Sequence, residues 1–269
     1  MVRAQPLVPA ELLQKSDKIL FIAHLALGDF TYLQSCLRAF SEAYPQVKIH
    51  LWVDELRRTR RASEWEHLKK YSLYDWLAEC PFIAKVYNRT YSPALFKQSI
   101  REARQQQYPI VVSFGLLRRQ RYARLARKIS PKGFVAGQTK RVRLLDIPTH
   151  LAYAKLDARI PAYSVSADNP RHISDLYADW FKLLFGMDVP QAARFPFVDI
   201  PEKWLRYAGD QLSAWGFTGS KVVFLTSFSK GAQRNWPLER IIELIRAMRR
   251  HDAWRDTAFV VNAVPEELE

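Results

Sequence analysis

Apolar residues run almost unbroken through "KILFIAHLA" (residues 18–26) and then recur at helical spacing in "FTYLQSCLRAFSEAY". The first pattern predicts a buried strand. The second predicts a helix with Leu33, Cys36, Leu37 and Phe40 on one face. Pro45 ends that helix, and "KIHLWVD" resumes a strand with alternation. After the basic turn "RRTRR" the pattern predicts a helix over 63–76, a short strand near "IAKVY" and a helix "LFKQSIREARQQQ". A strand "IVVSFG" and a helix "LLRRQRYARLARKI" follow. Residues 140–200 read as irregular and proline-rich, with one helix, "ISDLYADWFKLLF", inside them. The alternation then restarts as helix "EKWLRYAGDQLSAWGF", strand "KVVFLTS", loop "FSKGAQRNW", helix "PLERIIELIRAMRRH" and strand "TAFVVNA". Strands alternating with helices favour a parallel sheet covered on both faces. The expected fold is α/β with two Rossmann-like lobes. The first covers residues 1–165, a connection covers 166–200, and an incomplete second lobe covers 201–269.

Charge changes this picture more than composition does. The 269 residues are 48% hydrophobic and 25% charged, ordinary for a globular protein. Yet the net charge is +14, and it is unevenly spread. Through residue 165 there are 28 Lys and Arg against 13 Asp and Glu, a surplus of 15; the remainder holds 13 against 14. A surplus confined to the first lobe points to a polyanionic partner there, whether nucleic acid, anionic lipid or phosphorylated glycan. Cys36 and Cys80 have no close spacing and give neither a disulfide framework nor a zinc site. The six histidines form no H-E-x-x-H pattern, so no metal is expected. Lys15 and Lys18 precede the first apolar run, but His24 interrupts it and Asp29 follows it, which does not fit a secretory signal. The run is also too short to span a bilayer. A soluble, cytoplasmic chain is expected, one able to work at a membrane surface.

Three stretches carry candidate chemistry. Gly28 and Asp29 stand where the first strand hands over to its helix. Gly28 suits a tight turn or a close backbone approach. Asp29 can cap the helix, or it can face the crevice beyond the strand end and act as general base. In "FLTSFSKGAQRNWPLERI", Thr226, Ser227, Ser229 and Lys230 follow a strand and precede a helix, a plausible phosphate cradle. The other reading is a polar loop whose Trp236 anchors the helix. The pattern is not G-x-x-x-x-G-K-[ST]. The basic clusters Arg57 to Arg61 and Arg118 to Lys128 fall at separate strand ends. They suggest a polyanion-binding surface with too few aromatics to stack bases.

In order along the chain, "KILFIAHLALGDFTYLQSCLRAFSEAYPQVKIHLWV", "YPIVVSFGLLRRQRYARLARKI" and "RNWPLERIIELI" resemble glycosyltransferase family 9, the ADP-heptose:lipopolysaccharide heptosyltransferases. In that family an apolar strand leads through L-G-D to a helix containing L-R-A, and a basic residue and W-P precede a helix of the second lobe. The resemblance implies a GT-B fold and transfer of a sugar from a nucleotide donor with inversion. It makes Asp29 the counterpart of the family's general base. Arg234 stands at the position of a lysine that neutralises the departing diphosphate. Thr226, Ser227, Ser229 and Lys230 lie in the segment contacting the donor phosphate. It further implies an anionic lipid A–Kdo acceptor on the first lobe, at the inner face of the inner membrane. Arg57, Arg58, Arg60, Arg61, Arg118, Arg119 and Arg121 are the candidate acceptor contacts. No cofactor beyond the ADP-sugar donor is implied, and nucleic acid is not the expected partner.

Departures accompany the resemblance. Leu25 and Ala26 replace serines before L-G-D, Ser35 replaces a proline, and Arg replaces Lys at 234. No D-[ST]-G segment follows "VVNAVPEELE", so a truncated second lobe, weak donor binding and little turnover are expected. The competing expectation is a non-catalytic, glycosyltransferase-derived module that holds anionic glycan, lipid or RNA on its basic face.

Overall fold

The computed structural model describes residues 5–115, 118–161, 171–197, 199–227 and 235–262. Ser229, Lys230 and Arg234 lie outside the described residues. The chain divides into two compact units, Met1–Asp199 and Ile200–Glu269.

The first unit is built on six parallel strands: β1 (Lys18–Ala23), β2 (Lys48–Val53), β3 (Ile83–Tyr87), β4 (Ile110–Phe114), β5 (Phe134–Thr139) and β6 (Ala158–Pro161). Their spatial order is β3-β2-β1-β4-β5-β6. That is the doubly wound order, in which the chain winds outward from β1 in one direction and from β4 in the other. Every parallel pair needs a crossover, so helices cover both faces. β1 and β2 are buried along almost their whole length as a result.

The apolar face expected on the first helix is observed. α2 (Leu27–Ala43) buries Leu33, Cys36, Leu37 and Phe40 against the sheet. It follows α1 (Ala10–Lys15) in sequence. Over the same face lies α8 (Ile173–Phe185), with Phe21, Phe40, Phe114 and Phe181 interlocked at centroid separations of 5.7–6.4 Å. Each of these rings is essentially dry; burying one contributes roughly 1.5–3 kcal/mol. α8, which sequence reading assigned to the connection, thus belongs to the core of the first unit. Backbone bonds from Leu7 and Val8 to the carbonyls of Leu183 and Leu184 tie the N-terminal segment to it.

Other elements depart from the sequence expectation. The helix anticipated over 63–76 is a 3-10 turn at Ala62–Glu64, a short α3 (Trp65–Leu68) and α4 (Tyr71–Ala78). The break turns Lys70 inward, where its ammonium donates to the Leu25 carbonyl and lies 3.9 Å from Glu55. On the opposite face run α5 (Pro93–Gln105), α6 (Arg119–Ile129) and α7 (Ile147–Tyr153). The stretch read as irregular from residue 140 therefore contains α7 and β6, and β5 lies just before it. β6 is a four-residue edge strand ending in Pro161, a position where a missing N–H is tolerated.

Inside the second layer, His50 on β2 is 7% exposed and its Nδ1 lies 2.6 Å from the Tyr108 hydroxyl, which in turn meets Tyr87 at 2.9 Å. Burial, then the charges of Lys85 and Lys18, push the imidazole down to about 4. The unfolded chain takes up this proton near pH 6.5 and the folded one does not. The stability held by neutral His50 is therefore complete above pH 6.5 and is lost as pH falls from there through 4. The loss expected is on the order of 2–3 kcal/mol. Urea midpoints at pH 7.5, 5.5 and 4 measure it, and His50→Phe should flatten the slope while lowering stability at pH 7.5.

The second unit is a single β–α–β turn of the same design: β7 (Val222–Thr226), α10 (Leu238–Arg249) and β8 (Ala258–Asn262), preceded by α9 (Glu202–Ala214). β7 and β8 pair in parallel. Among its described residues only Ile241, Thr257 and Ala258 are buried, while Phe224, Leu205 and Trp215 are more than half exposed.

Candidate active site

In a sheet of this order the winding direction reverses between β1 and β4, and the loops leaving their carboxyl ends diverge to leave a crevice. The loop after β1 carries Asp29 into α2. The loop after β4 leads into α6, whose N-cap is Arg118. Two of the three candidate stretches thus follow neighbouring strands of the sheet.

Asp29 is the third residue of α2, not its N-cap, a position held by Ala26. One carboxylate oxygen, Oδ2, accepts the Ala26 N–H at 2.9 Å. The residue is exposed, and among the described residues Oδ1 has no hydrogen-bond partner. One oxygen thus secures the helix start from inside the first turn, and the other is open. Tyr177 of α8 feels this carboxylate, its phenol being pushed up first by burial and then by the Asp29 charge. Gly28 makes no turn that needs a glycine. Its φ is not positive, and a Cβ placed on it would meet nothing within 4 Å. The space beside Asp29 is open.

The basic clusters divide into two kinds of residue. At the end of β2, Asp54 and Glu55 are 0% and 2% exposed, two carboxylates that motif reading did not single out. Arg58 donates to Asp54 Oδ1 and to the Thr90 carbonyl, and lies 3.5 Å over the Phe96 ring. Burial depresses its guanidinium, although Asp54 opposes the shift. Arg121 approaches Asp54 Oδ2 at 3.5 Å from α6. Arg57 donates its amide and Nε to Glu55 Oε1 at 2.9 and 3.1 Å. Burial raises the Glu55 carboxyl, but these bonds and the Lys70 charge hold it below its ordinary value. Arg61 pairs with Glu64. Arg60 is exposed. Part of the first cluster thus neutralises buried carboxylates, and a signal was present in the adjoining "DELRR", where Asp54 and Arg58 stand at helical i,i+4 spacing.

The second cluster is more open. Arg118, in the left-handed region at φ 58°, leads a shallow depression of about 340 Å³ lined also by Gln120, Arg121, Arg124, Pro148 and Thr149. Arg119 is partly buried. Gly115 at the end of β4 is required by packing, since a Cβ there would lie 2.2 Å from the buried Tyr122 ring. Lys70 and His24 bind this arrangement to the Asp29 loop. Lys70 joins the Leu25 carbonyl to Glu55, and His24 Nδ1 lies 2.8 Å from the Asp54 carbonyl.

In the second unit, Thr226 ends β7 exposed, and the Ser227 carbonyl accepts the Trp236 N–H at 3.0 Å. Trp236 is 45% exposed, so it does not anchor α10 by burial. Among the described residues no cluster of His, Cys, Asp or Glu could hold a metal ion, and no helix is long and apolar enough to cross a membrane.

No protein-family model matches the chain, and no curated protein matches it in sequence. Solved structures do. A family 9 glycosyltransferase from Veillonella parvula DSM 2008 superposes with a TM-score of 0.65 at 17% identity, over 94% of this chain and 64% of that one. The chain shares the fold of that glycosyltransferase over the part it covers. Escherichia coli ADP-heptose lipopolysaccharide heptosyltransferase II gives a TM-score of 0.59 at 14% identity, over 93% and 65% of the two chains. E. coli heptosyltransferase WaaC with ADP-2-deoxy-2-fluoro heptose gives 0.57 at 16%, over 93% and 70%. The α/β, GT-B-like class expected from the sequence is thus observed. The chain spans a little under two thirds of the length of the first two family 9 structures.

Proposed function

We propose that this chain is an inverting glycosyltransferase that moves a heptose or related sugar from an ADP-sugar to a lipopolysaccharide-type core acceptor at the cytoplasmic membrane face. The observation carrying this reading is the open Oδ1 of Asp29 at the switch point of a family 9 fold. In the proposed reaction the acceptor hydroxyl oxygen attacks C1 of the sugar while its proton passes to Asp29 Oδ1. The bond from C1 to the diphosphate oxygen breaks, and ADP leaves with the electron pair. A base on the side opposite the leaving group gives inversion. Arg234, Ser229 and Lys230 are proposed to receive the charge growing on the diphosphate, with Thr226 and Ser227 as further proposed phosphate contacts. Arg118 and Arg119, with the exposed Arg60 and Arg61, are the proposed acceptor contacts; Arg57, Arg58 and Arg121 serve the buried carboxylates first. That internal pairing also weakens the competing reading of a purely electrostatic module, which needs its arginines free.

The test is incubation of the intact protein with a panel of nucleotide sugars and a heptose-deficient lipopolysaccharide acceptor, with the product read by mass spectrometry and its anomeric configuration by NMR. A mass gain of one heptose, with inversion, supports the reading; an unconsumed panel overturns it. A second expectation concerns Gly28→Ala. Alanine is the better helix former, and nothing obstructs its methyl, so stability should rise by up to about 1 kcal/mol. Turnover should fall, because the methyl enters space beside Asp29 that the substrate is proposed to use. A thermal melt and a rate on the same preparation check both.

A further inference from the structure

Between β5 and β6 the chain leaves the sheet as an apolar projection. Leu144 and Leu145 are each 91% exposed, Ile147 62% and Leu151 63%. The other large apolar side chains exposed in the described part of the first unit, Leu27, Tyr71 and Phe195, are scattered singly, as on any protein surface. Four within eight residues are a patch and need a partner. The patch is bordered by exposed Lys140, Arg141 and Arg143. Its one carboxylate, Asp146, is turned to the backbone, accepting the Thr149 N–H at 3.2 Å. The projection is pinned beside the arginine depression, because Arg124 donates to the Pro148 carbonyl at 3.0 Å and Gln120 to Thr149 Oγ1 at 3.2 Å.

We propose that this projection is a membrane-surface anchor. Leu144, Leu145, Ile147 and Leu151 enter the acyl boundary of an anionic bilayer while Lys140, Arg141 and Arg143 pair with headgroup phosphates. Charge decides between occupants. A second copy would bring the same cations, from a region with a surplus of 15 positive charges through residue 165, against themselves. An anionic lipid surface presents apolar depth and negative charge together. The proposal stands on this surface alone and does not rest on the transferase reading. Its test contains no nucleotide sugar, so either can fail without the other.

The test uses sedimentation of the intact protein with vesicles of phosphatidylcholine, with and without phosphatidylglycerol. The parent should bind the anionic vesicles far more tightly. Leu144→Ser with Leu145→Ser should weaken binding on the order of 100-fold at any salt. Gln at 140, 141 and 143 should weaken it on the order of 100-fold at low salt, and by less at high salt. These side chains face solvent, so thermal melts should be unchanged; as a check independent of loss of binding, Leu145→Trp should show blue-shifted emission quenched by brominated acyl chains. Equal binding by parent and leucine variant, or an unshifted Leu145→Trp emission, overturns the proposal. Loss of a dimer in the leucine variant, with vesicle binding intact, would assign the patch to a second copy and also overturn it.

Discussion

Asp29→Asn is expected to fold like the parent and to lose turnover by roughly 10²–10⁴-fold, the usual contribution of a positioned general base. The amide keeps the shape of the carboxylate and can still accept the Ala26 N–H through one oxygen. What it removes is the ability of the open oxygen to take a proton. Acceptor affinity should stay within about twofold, because a neutral substitution on the base alters the transition state more than ground-state binding. Asp29→Ala should show the same kinetic loss plus about 1 kcal/mol of stability from the missing cap interaction. Initial rates, acceptor titration and urea unfolding on the three proteins separate these terms. A rate for Asp29→Asn within threefold of the parent would remove Asp29 from the chemistry and leave it as a helix-start residue.

The second large effect is structural. Asp54→Ala should destabilise the first unit by roughly 3–5 kcal/mol, the range for breaking one side of a buried ion pair. Asp54 is 0% exposed and serves two guanidinium groups, those of Arg58 and Arg121. Removing it leaves Arg58, already depressed by burial, without a counter-charge over the Phe96 ring. Because total stabilities are often only about 5–15 kcal/mol, the loss should be plain in a urea midpoint. Asp54→Asn should lie between, since it keeps an acceptor for Arg58 and loses the charge. A change under about 1 kcal/mol for Asp54→Ala would mean that the arginines find solvent at little cost and that the network does not hold the crevice wall.

These expectations separate what was legible from what was not. The β1–Gly28–Asp29–α2 unit was legible because its signals are local: an unbroken apolar run, then a four-residue apolar repeat. β5 was missed because "FVAGQT" carries Gly137 in mid-strand, a residue needed because a Cβ there would lie 2.6 Å from Ser113 Oγ on the neighbouring strand. β6 was missed because four edge residues ending in proline hold too little periodicity to register. Asp54 and Glu55 escaped notice because, although Arg57 and Arg58 stand beside them in sequence, their burial and their other charged partners come from distant segments: Arg121 from α6 and Lys70 from the break before α4.

By itself the sequence determined that this chain is a parallel α/β protein, that a carboxylate stands where the first strand hands over to its helix, and that its cations crowd the first unit. Those facts follow from periods of two to four residues and from counting, which need no coordinates. Only the tertiary structure decided which cations remain available, because burial of Asp54 and Glu55 sets the pairing and burial is a property of the packed sheet. It alone also put the strands that lead to Asp29 and to Arg118 side by side, since strand order, invisible in a list of strands, sets β1 against β4.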